Sequence, residues 1–351
     1  MALEKSPYWV QSEDWHTAGE PFRIVDQLPP HTLPEGETVA QRRSTVISTP
    51  EHPLDELRKL LCYEPRGHPD MYGGFIVPPD DSGAHFGVLF WHKDGFSTAC
   101  GHGTIALGYW AISKGIVKIP DNDGSVDVVI DVPSGRVTAR LTIQQGKPIH
   151  ADFINVLSYP LARGVTVRVP SLGGMSVDID IAFAGAVYAT LDAAQLGLKV
   201  EPSQHSDFIR LGREIKAELG NRATYSTYDL YGVIFFNEEG EDEGDTHAIK
   251  QRSVTVFADG QIDRSPCGSG SCARLALLLA QGRLGASRSK LIHRSIIGTT
   301  FEADILEEKS SPKDDGTPAC IPCVRGHAGL VGRMNFYIDP ADPVYPGFLL
   351  R

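Results

Sequence analysis

The chain has 351 residues, of which 41% are hydrophobic and 22% charged, and its formal net charge is −11 at pH 7. These values are typical of a globular protein long enough for two domains, and the negative charge argues against nucleic acid or an anionic membrane surface as a partner. Six cysteines are too few for a disulfide scaffold at this length. No apolar run approaches the ~20 residues of a membrane helix and the first residues lack the apolar core of a signal peptide, so we expect a cytoplasmic protein with reduced thiols.

The first third of the chain mixes helices and strands. The polar run 16–21 is expected to form a turn, which is either a plain loop at a strand end or one wall of a pocket. Apolar spacing predicts helices over 38–48 and 54–61, and strands at 22–25, 75–77 and 86–91.

Strands dominate the remainder. A helix after Cys100 should end near Lys114-Gly115, another is predicted at 204–219, and a third follows Cys267. The acidic run 238–245 is expected to be a solvated loop rather than a metal site, and 307–317 a charged loop. Strands are predicted at 126–132, 136–143, 165–169, 177–183, 231–236, 254–257, 291–297 and 334–338.

This order of elements indicates an α+β fold built from two comparable halves. We expect an N-terminal domain over 1–157 that carries Cys100 and a C-terminal domain over 158–340 that carries Cys267. The last residues, 340–351, are expected to pack back on the N-terminal domain.

One short motif occurs twice, as Cys100-Gly101-His102-Gly103 and as Cys267-Gly268-Ser269-Gly270. Each copy continues with a hydroxyl residue, one further residue and Ala, and then with apolar residues at helical spacing. The two cysteines are separated by close to half the chain length. Self-similarity over so long an interval indicates two similar domains rather than a solenoid.

Each copy suits acid/base chemistry beside an anion site. Glycines leave backbone N–H groups uncovered, and the N-terminus of the following helix attracts anions. A cysteine at this point is expected to have a depressed pKa, because the helix N-terminus favours the thiolate. Either cysteine alone would be interpreted as a core thiol, but two copies facing each other would place two thiols around one small carboxylate.

Other readings of these motifs are weaker. Both copies satisfy the loose Gly-x-Gly-x-x-Ala pattern of dinucleotide sites, but the acidic residue expected about 20 positions later fits neither copy: Asp121 and Asp123 come too early after the first, and the second has His293. Nucleotide binding also explains neither cysteine. Cys320 and Cys323, with His327, supply at most three metal ligands and precede a predicted strand, so we interpret them as structural thiols. Cys62 and Cys272 are interpreted as packing residues.

The combined motifs resemble the proline racemase family, which includes proline racemases, 4-hydroxyproline 2-epimerases and trans-3-hydroxy-L-proline dehydratases. The similarity runs from about residue 14 to the end of the chain, and the motifs together are highly specific. It implies a fold like that of diaminopimelate epimerase, with two pseudo-symmetric α/β domains and the active site in the cleft between them. The residues that carry it are Asp14-x-His16-Thr17-x-Gly19-Glu20-Pro21, Cys100 to Gly103, and Asp263-Arg264-Ser265-Pro266-Cys267-Gly268-Ser269-Gly270.

The resemblance also implies roles for individual residues. Cys100 and Cys267 match the two acid/base residues of the family, and His102 and Asp263 match positions that hold the ring nitrogen of the substrate, although Asp263 is also interpretable as a turn residue. The substrate carboxylate would lie on the N–H groups at the two helix starts, which are those of Gly101, His102, Gly268 and Ser269. No cofactor and no metal are implied, and a homodimer is the family-based expectation for assembly.

Two branches of the family remain open. The loop at 64–73 and the tail at 342–350 look most like the dehydratase branch, yet dehydratases typically carry Thr at the position of Cys267. Two thiols are what inversion of Cα requires, so we predict a racemase or epimerase acting on proline or hydroxyproline. The dehydratase, which would give 1-pyrroline-2-carboxylate, is the alternative, and a non-catalytic imino-acid-binding protein is a third reading.

Overall fold

The computed structural model describes residues 6–240, 248–285, 290–313 and 316–350. Within these ranges the chain forms five α-helices and eighteen strands, and the strands join in one continuous hydrogen-bonded network. The first half contains β1 (Tyr8–Thr17), β2 (Glu20–Val25), α1 (Val39–Ser48), α2 (Pro53–Cys62), β3 (Tyr72–Val77), β4 (Phe86–His92), β5 (Gly95–Phe96), α3 (Gly101–Ser113), β6 (Gly124–Val132), β7 (Gly135–Gln144) and β8 (Lys147–Ile154).

The second half contains one long outer helix and one helix that follows the second cysteine. Its elements are β9 (Tyr159–Val169), β10 (Met175–Phe183), β11 (Val187–Asp192), α4 (His205–Leu219), β12 (Leu230–Glu238), β13 (Ala248–Phe257), β14 (Gln261–Ile262), α5 (Gly268–Ala280), β15 (Lys290–Ser295), β16 (Thr300–Ser310), β17 (Pro318–Gly326) and β18 (Ala328–Ile338).

Each half wraps its strands around one apolar helix. In the first half α3 is buried from Gly101 to Ala111 and packs against β1, β2, β7 and β8. In the second half α5 is buried from Gly268 to Leu279 and packs against β9, β10, β16 and β17. A helix that is apolar all round is stable only inside such an enclosure, so these two helices are the fixed centres of the fold.

The outer helices have one apolar face each. Phe208, Leu211 and Ile215 of α4 are buried against β9, β12 and β13. The start of α1 is fixed by Thr38, whose side chain accepts a hydrogen bond from the Gln41 N–H group in a reciprocal capping box. Apolar faces and capping residues of this kind are visible in the sequence. The predicted bounds of α2 and α4 are confirmed to within one residue at each end.

The two halves share strands with each other. β18 pairs with β1 along its whole length, from Tyr8–Ile338 to Thr17–Ala328, and β17 pairs with β8. In the tail, Phe348 pairs with Glu64. The domain limits at 157 and 340 stay a prediction; β8 and β17, which lie on opposite sides of residue 157, pair in one ladder.

Several strands were not predicted from the sequence. These are β1, β5, β8, β11, β14, β16 and β17. The predicted turn at 16–21 is wrong at both ends, since β1 runs to Thr17 and β2 begins at Glu20, and the predicted loop at 307–317 is wrong over 307–310, which end β16. These last residues are exposed, so no hydrophobic alternation marks them, and pairing with β17 is what extends the strand. Of the acidic run 238–245, Glu238 ends β12, and residues 241–245 lie outside the described residues.

None of the described helices is both long enough and apolar enough to cross a bilayer.

Candidate active site

The site lies where the N-termini of α3 and α5 meet. A Cβ atom added to Gly101 would lie 2.6 Å from the Gly268 Cα atom, and one added to Gly268 would lie 2.7 Å from the Gly101 Cα atom. Glycine is required at both positions because any side chain would push the helices apart. The same approach brings the Ser269 and His102 backbone nitrogens to the junction, 2.8 Å and 3.1 Å from those Cβ positions. Four N–H groups from first helical turns, which lack partners within their helices, therefore meet at one point.

Cys100 is the residue that precedes α3, and its side chain is 6% exposed. Its Sγ atom accepts a hydrogen bond from the Gly103 N–H group at 3.2 Å and lies 3.4 Å from His102 Nδ1. Burial raises the pKa of the Cys100 thiol well above its ordinary value, the Gly103 N–H group lowers it in part, and Asp263 and Cys267 raise it further. Burial lowers the pKa of His102 to about 3, so its ring is neutral at pH 7.

Cys267 precedes α5 in a backbone conformation that non-glycine residues rarely adopt, with φ 64°. Its N–H group donates to Ser265 Oγ at 3.1 Å, and its carbonyl oxygen accepts from the N–H and hydroxyl groups of Ser271 at 2.7 and 2.8 Å. The thiol lies 3.9 Å from the Tyr188 hydroxyl. These contacts hold the strained residue on both sides and fix where its thiol points.

The predicted depression of the cysteine pKa values is wrong. Burial raises the pKa of the Cys267 thiol above its ordinary value, as it does for Cys100, and Asp263 adds to the rise. Desolvation of a buried thiolate outweighs the stabilisation by the helix N-terminus. The thiol form of both cysteines is therefore favoured near neutral pH.

Asp263 supplies the negative charge nearest the two thiols. Its carboxylate accepts hydrogen bonds from the N–H group and the hydroxyl of Ser265, at 2.8 and 2.7 Å, so it both shapes the turn and faces the site. Burial raises the pKa of Asp263 to about 6, against the opposing effect of the Ser265 hydrogen bonds. Glu20, fully buried nearby, accepts from the Arg264 N–H group at 2.7 Å, and burial together with Asp263 raises the pKa of Glu20 well above its usual range.

The structure brings the seven predicted site residues into one region. Gly101, His102, Gly268 and Ser269 form the junction of helix starts, and Cys100, Cys267 and Asp263 interact electrostatically with one another. All seven are buried. The arrangement can bind a carboxylate at the junction, hold a cation near Asp263 and exchange protons with two separate thiols.

A ring of aromatic residues beside the site was missed by the sequence analysis. The Tyr72 hydroxyl bonds with Ser97 Oγ and lies 3.2 Å from the Tyr231 hydroxyl. The Tyr72 ring packs 5.0 Å from the His102 ring, and Tyr231 stacks on Phe257 at 5.6 Å. Tyr72 lies near the end of the loop at 64–73, but no sequence pattern connects it to Tyr231, which is 159 positions away.

The positions of Cys320 and Cys323 do not suit a shared metal ion. Both lie within β17 and not before it, and residues three positions apart on a strand point to opposite faces of the sheet. Among the described residues no group of three or more His, Cys, Asp or Glu side chains could hold a metal ion. His327 instead contacts the Tyr109 hydroxyl at 2.9 Å.

The fold is a mixed α/β fold that distant solved structures share. Solved structures of a phenazine biosynthesis protein of the PhzF family from Bacillus anthracis and of methylitaconate-delta-isomerase match 94% and 95% of the chain with TM-scores of 0.58 and 0.55. Their identities of 10% and 11% show the fold alone. The family model described as proline racemase matches residues 13–349, and the chain belongs to this family.

Relatives within the family have several activities. The chain is 37% identical to trans-3-hydroxy-L-proline dehydratase from Bacillus cereus and 38% identical to 3-hydroxyproline 2-epimerase from Burkholderia multivorans, over 96% of this chain and 97% and 96% of those proteins. The structure of a hydroxyproline epimerase from Agrobacterium vitis with bound trans-4-hydroxy-L-proline matches with a TM-score of 0.84 at 26% identity, over 97% of this chain and 96% of that one. The protein is therefore an enzyme of the proline racemase family, as the motifs indicated.

Proposed function

We propose that the protein is a cofactor-independent 2-epimerase that inverts Cα of a hydroxyproline. The observation that carries the proposal is the pair of buried thiols, Cys100 and Cys267, each preceding one of two helices whose N-termini meet. Inversion of a carbon centre requires a base on one face and an acid on the other. A reaction that acts on only one face of Cα would need only one of the two thiols.

Substrate binding follows from the charges at the site. The carboxylate of the imino acid accepts hydrogen bonds from the N–H groups at the junction of α3 and α5, where the dipoles of both helices favour negative charge. The ring ammonium lies between the Asp263 carboxylate and the neutral ring of His102. Because this cation enters beside the thiols, it lowers the free energy of a thiolate that burial alone disfavours.

The reaction then needs two proton transfers. One cysteine, as thiolate, takes the Cα proton, and the electron pair moves onto the carboxylate to form an enediolate held by the junction N–H groups. The other cysteine, as thiol, donates its proton to the opposite face of Cα. The thiol and thiolate have exchanged roles when the epimer leaves, so the two titrations are coupled.

The cluster of hydroxyl groups from Tyr72, Ser97 and Tyr231 favours a hydroxyproline over proline as the substrate. Tyr72 contacts the His102 ring, and burial together with the Cys100 thiol raises the pKa of Tyr72, so its hydroxyl lies beside the reacting groups. These hydroxyls bond with one another, and each keeps a lone pair that can accept a hydrogen bond from a substrate hydroxyl. A site built to bond a substrate hydroxyl discriminates strongly against the analogue that lacks it.

Dehydration of trans-3-hydroxy-L-proline is the second candidate. The loop at 64–73 and the dehydratase relatives at 37–38% identity favour it. In this reaction one thiolate takes the Cα proton, that proton passes from the thiol to the departing 3-hydroxyl so that water leaves, and the resulting enamine tautomerises to 1-pyrroline-2-carboxylate. The second thiol would have no counterpart role on the opposite face.

Product analysis with three substrates tests the proposal. The enzyme is incubated separately with trans-3-hydroxy-L-proline, trans-4-hydroxy-L-proline and L-proline, and each mixture is analysed by chiral chromatography and for cyclic imine with 2-aminobenzaldehyde. We expect the 2-epimer of a hydroxyproline, no imine, and slower turnover of L-proline. Imine from the 3-hydroxy compound alone would establish the dehydratase instead.

A further inference from the structure

A cavity of about 580 Å³ lies between the two halves, beside the buried thiols. Arg43 and Ser97 line it from the first half, and Lys216, Tyr228 and Tyr231 from the second. A water molecule takes about 30 Å³, so the cavity has room for a small amino acid with solvent around it.

One layer of side chains separates this cavity from the thiols. Ser97 and Tyr231 line the cavity, and both bond with the Tyr72 hydroxyl on the thiol side. Tyr231 also packs 5.6 Å from the ring of Tyr188, whose hydroxyl lies 3.9 Å from the Cys267 thiol. The cavity and the site of both cysteines therefore share one wall, which we name the tyrosine partition (Tyr72, Ser97, Tyr188 and Tyr231).

The cavity contains two cations without an anionic partner. Arg43 donates from Nε to the Phe96 carbonyl at 2.9 Å, and Lys216 donates to the carbonyls of Tyr231 and Ala258 at 3.3 and 3.0 Å. Within the described ranges neither side chain forms an ion pair with a carboxylate. Burial lowers the pKa of both groups, which is the electrostatic cost of holding them there without one.

Two of the three acidic residues that line the cavity already form ion pairs. Asp94 pairs with Lys93 at 3.1 Å and accepts from the Asp259 N–H group, and Asp259 pairs with Arg213 at 3.0 Å. Asp229 also lines the cavity, and its charge acts on both Arg43 and Lys216. Of the three lining cations, Arg213 pairs with Asp259, so Arg43 and Lys216 are the two that form no ion pair within the described residues.

We propose that this cavity is a docking vestibule that binds the carboxylate of an incoming imino acid on Arg43 and Lys216 before the ligand crosses the tyrosine partition. The inference rests on the proposed function for the identity of its ligand. Both cations hold the backbone of the partition itself: Lys216 bonds to the Tyr231 carbonyl, and Arg43 bonds to the residue next to Ser97. A carboxylate that competes for these two donors loosens the partition at the moment the ligand arrives.

Two alkylating reagents of different charge test the vestibule without relying on turnover. Iodoacetate and iodoacetamide carry the same reactive carbon, but only iodoacetate carries a carboxylate. The rates at which they modify Cys100 and Cys267 are measured by mass spectrometry in the wild type, in R43Q K216Q, and in R168Q K199Q. The last variant removes the same two charges from exposed positions that do not line the cavity.

Electrostatic capture changes rates by tenfold or more, so we expect R43Q K216Q to slow iodoacetate about tenfold relative to iodoacetamide. R168Q K199Q should leave that ratio within about twofold of the wild type. A variant that merely loosens the fold would change both reagents alike. An unchanged ratio, an equal change for both reagents, or no alkylation by either one overturns the vestibule.

Steady-state kinetics separate this inference from the proposed function. With the hydroxyproline that is turned over, R43Q K216Q should lower kcat/KM about tenfold while kcat stays within about threefold, because the cations act before the chemical step. If no imino acid is turned over by any form of the enzyme, the proposed function fails while the alkylation ratio still decides the vestibule. If kcat/KM is unchanged, the vestibule fails and the epimerase stands.

Discussion

At the scale of single residues, Cys267 shows how the site is held in place. Its φ of 64° is unfavourable for a residue with a side chain, and hydrogen bonds to Ser265 and Ser271 fix it from both sides. Ser271 Oγ in turn lies 2.7 Å from His293 Nδ1, so the restraint extends into the core. Backbone strain of this kind persists only where the surroundings enforce it, and here it aims one thiol at the junction of the two helices.

Replacing Cys267 tests its proposed role as one of two acid/base groups. Cys267→Ser keeps the size and the absence of β-branching that the positive φ demands, but a hydroxyl does not ionise near neutral pH. We expect the rate of Cα inversion to fall by about 10³-fold, measured by polarimetry or chiral chromatography. Cys323→Ser, a replacement on β17 away from the site, should stay within about twofold of the wild type. Inversion by Cys267→Ser at the parent rate would disprove the two-thiol mechanism.

The charge of Asp263 that is proposed to support substrate binding should also reduce the stability of the folded protein. Its pKa of about 6 in the folded protein exceeds the value of about 3.9 for an unfolded chain, so its ionisation disfavours the folded state. The penalty is absent below about pH 4, grows as the pH rises between the two pKa values, and is complete above about pH 6.

Asp263→Asn can still accept both Ser265 hydrogen bonds but carries no charge. We expect this variant to be more stable than the wild type by about 1–3 kcal/mol at pH 7.5, with the difference shrinking at pH 5, while turnover falls strongly. Urea unfolding at the two pH values measures it. A variant that is less stable than the wild type at pH 7.5 would show that Asp263 is mainly a structural turn residue.

At the scale of elements, the contact between α3 and α5 depends on two glycines. Their backbones approach so closely that a methyl group on Gly101 would lie 2.6 Å from a Gly268 backbone atom. The helices also carry the dipoles that attract the substrate carboxylate, so packing and binding use the same geometry.

Gly101→Ala should separate the helix starts. We expect a loss of about 1–3 kcal/mol in the free energy of unfolding, because the clash is with backbone that cannot move aside, together with a large rise in KM. Gly124→Ala, where the nearest atom is 3.8 Å away, is the matched control and should change stability by less than about 0.5 kcal/mol. Equal effects of the two replacements would mean that the helix starts are not tightly packed in solution.

Elements with a local signal were predictable from the sequence, and elements without one were not. α2 and α4 carry an apolar stripe at helical spacing, and both helices that follow the cysteines start at a repeated motif. β16 and β17 hold each other through ladder hydrogen bonds, and the exposed end of β16 has no apolar alternation to reveal it. Their pairing depends on contacts between distant parts of the chain, which a single-sequence pattern does not contain.

At the scale of the whole molecule, polar contacts join the two halves around the site. The Arg264 guanidinium bonds with the buried Asp70 carboxylate at 2.9 Å, and the Asp259 N–H group donates to Asp94 at 2.8 Å. These links keep the cysteine-bearing helices facing each other. The sequence repeat predicted two facing motifs, but the partners that close the cleft, and the tyrosines shared between the halves, lie far apart in the chain without a common pattern.

Arg264→Gln should weaken this connection. Arg264→Gln removes a positive charge 2.9 Å from a buried carboxylate, so we expect a loss of about 2–4 kcal/mol in the free energy of unfolding. Arg140→Gln breaks an exposed ion pair with Asp127 inside the first half and should cost at most about 1 kcal/mol. Adding Asp70→Asn to Arg264→Gln should restore part of the loss. No difference between Arg264→Gln and Arg140→Gln in chemical denaturation would contradict a role for this pair in holding the halves together.

Inversion at Cα by two thiols is the central claim, and proton NMR in D₂O tests it most directly. Wild-type enzyme is mixed with trans-3-hydroxy-L-proline, trans-4-hydroxy-L-proline or L-proline in separate samples. Since the new Cα hydrogen comes from a thiol that exchanges with solvent, we predict loss of the Cα proton signal of a hydroxyproline together with the appearance of its 2-epimer deuterated at Cα. Conversion of the 3-hydroxy compound to a cyclic imine alone, or an unchanged Cα signal in all three samples, would contradict it.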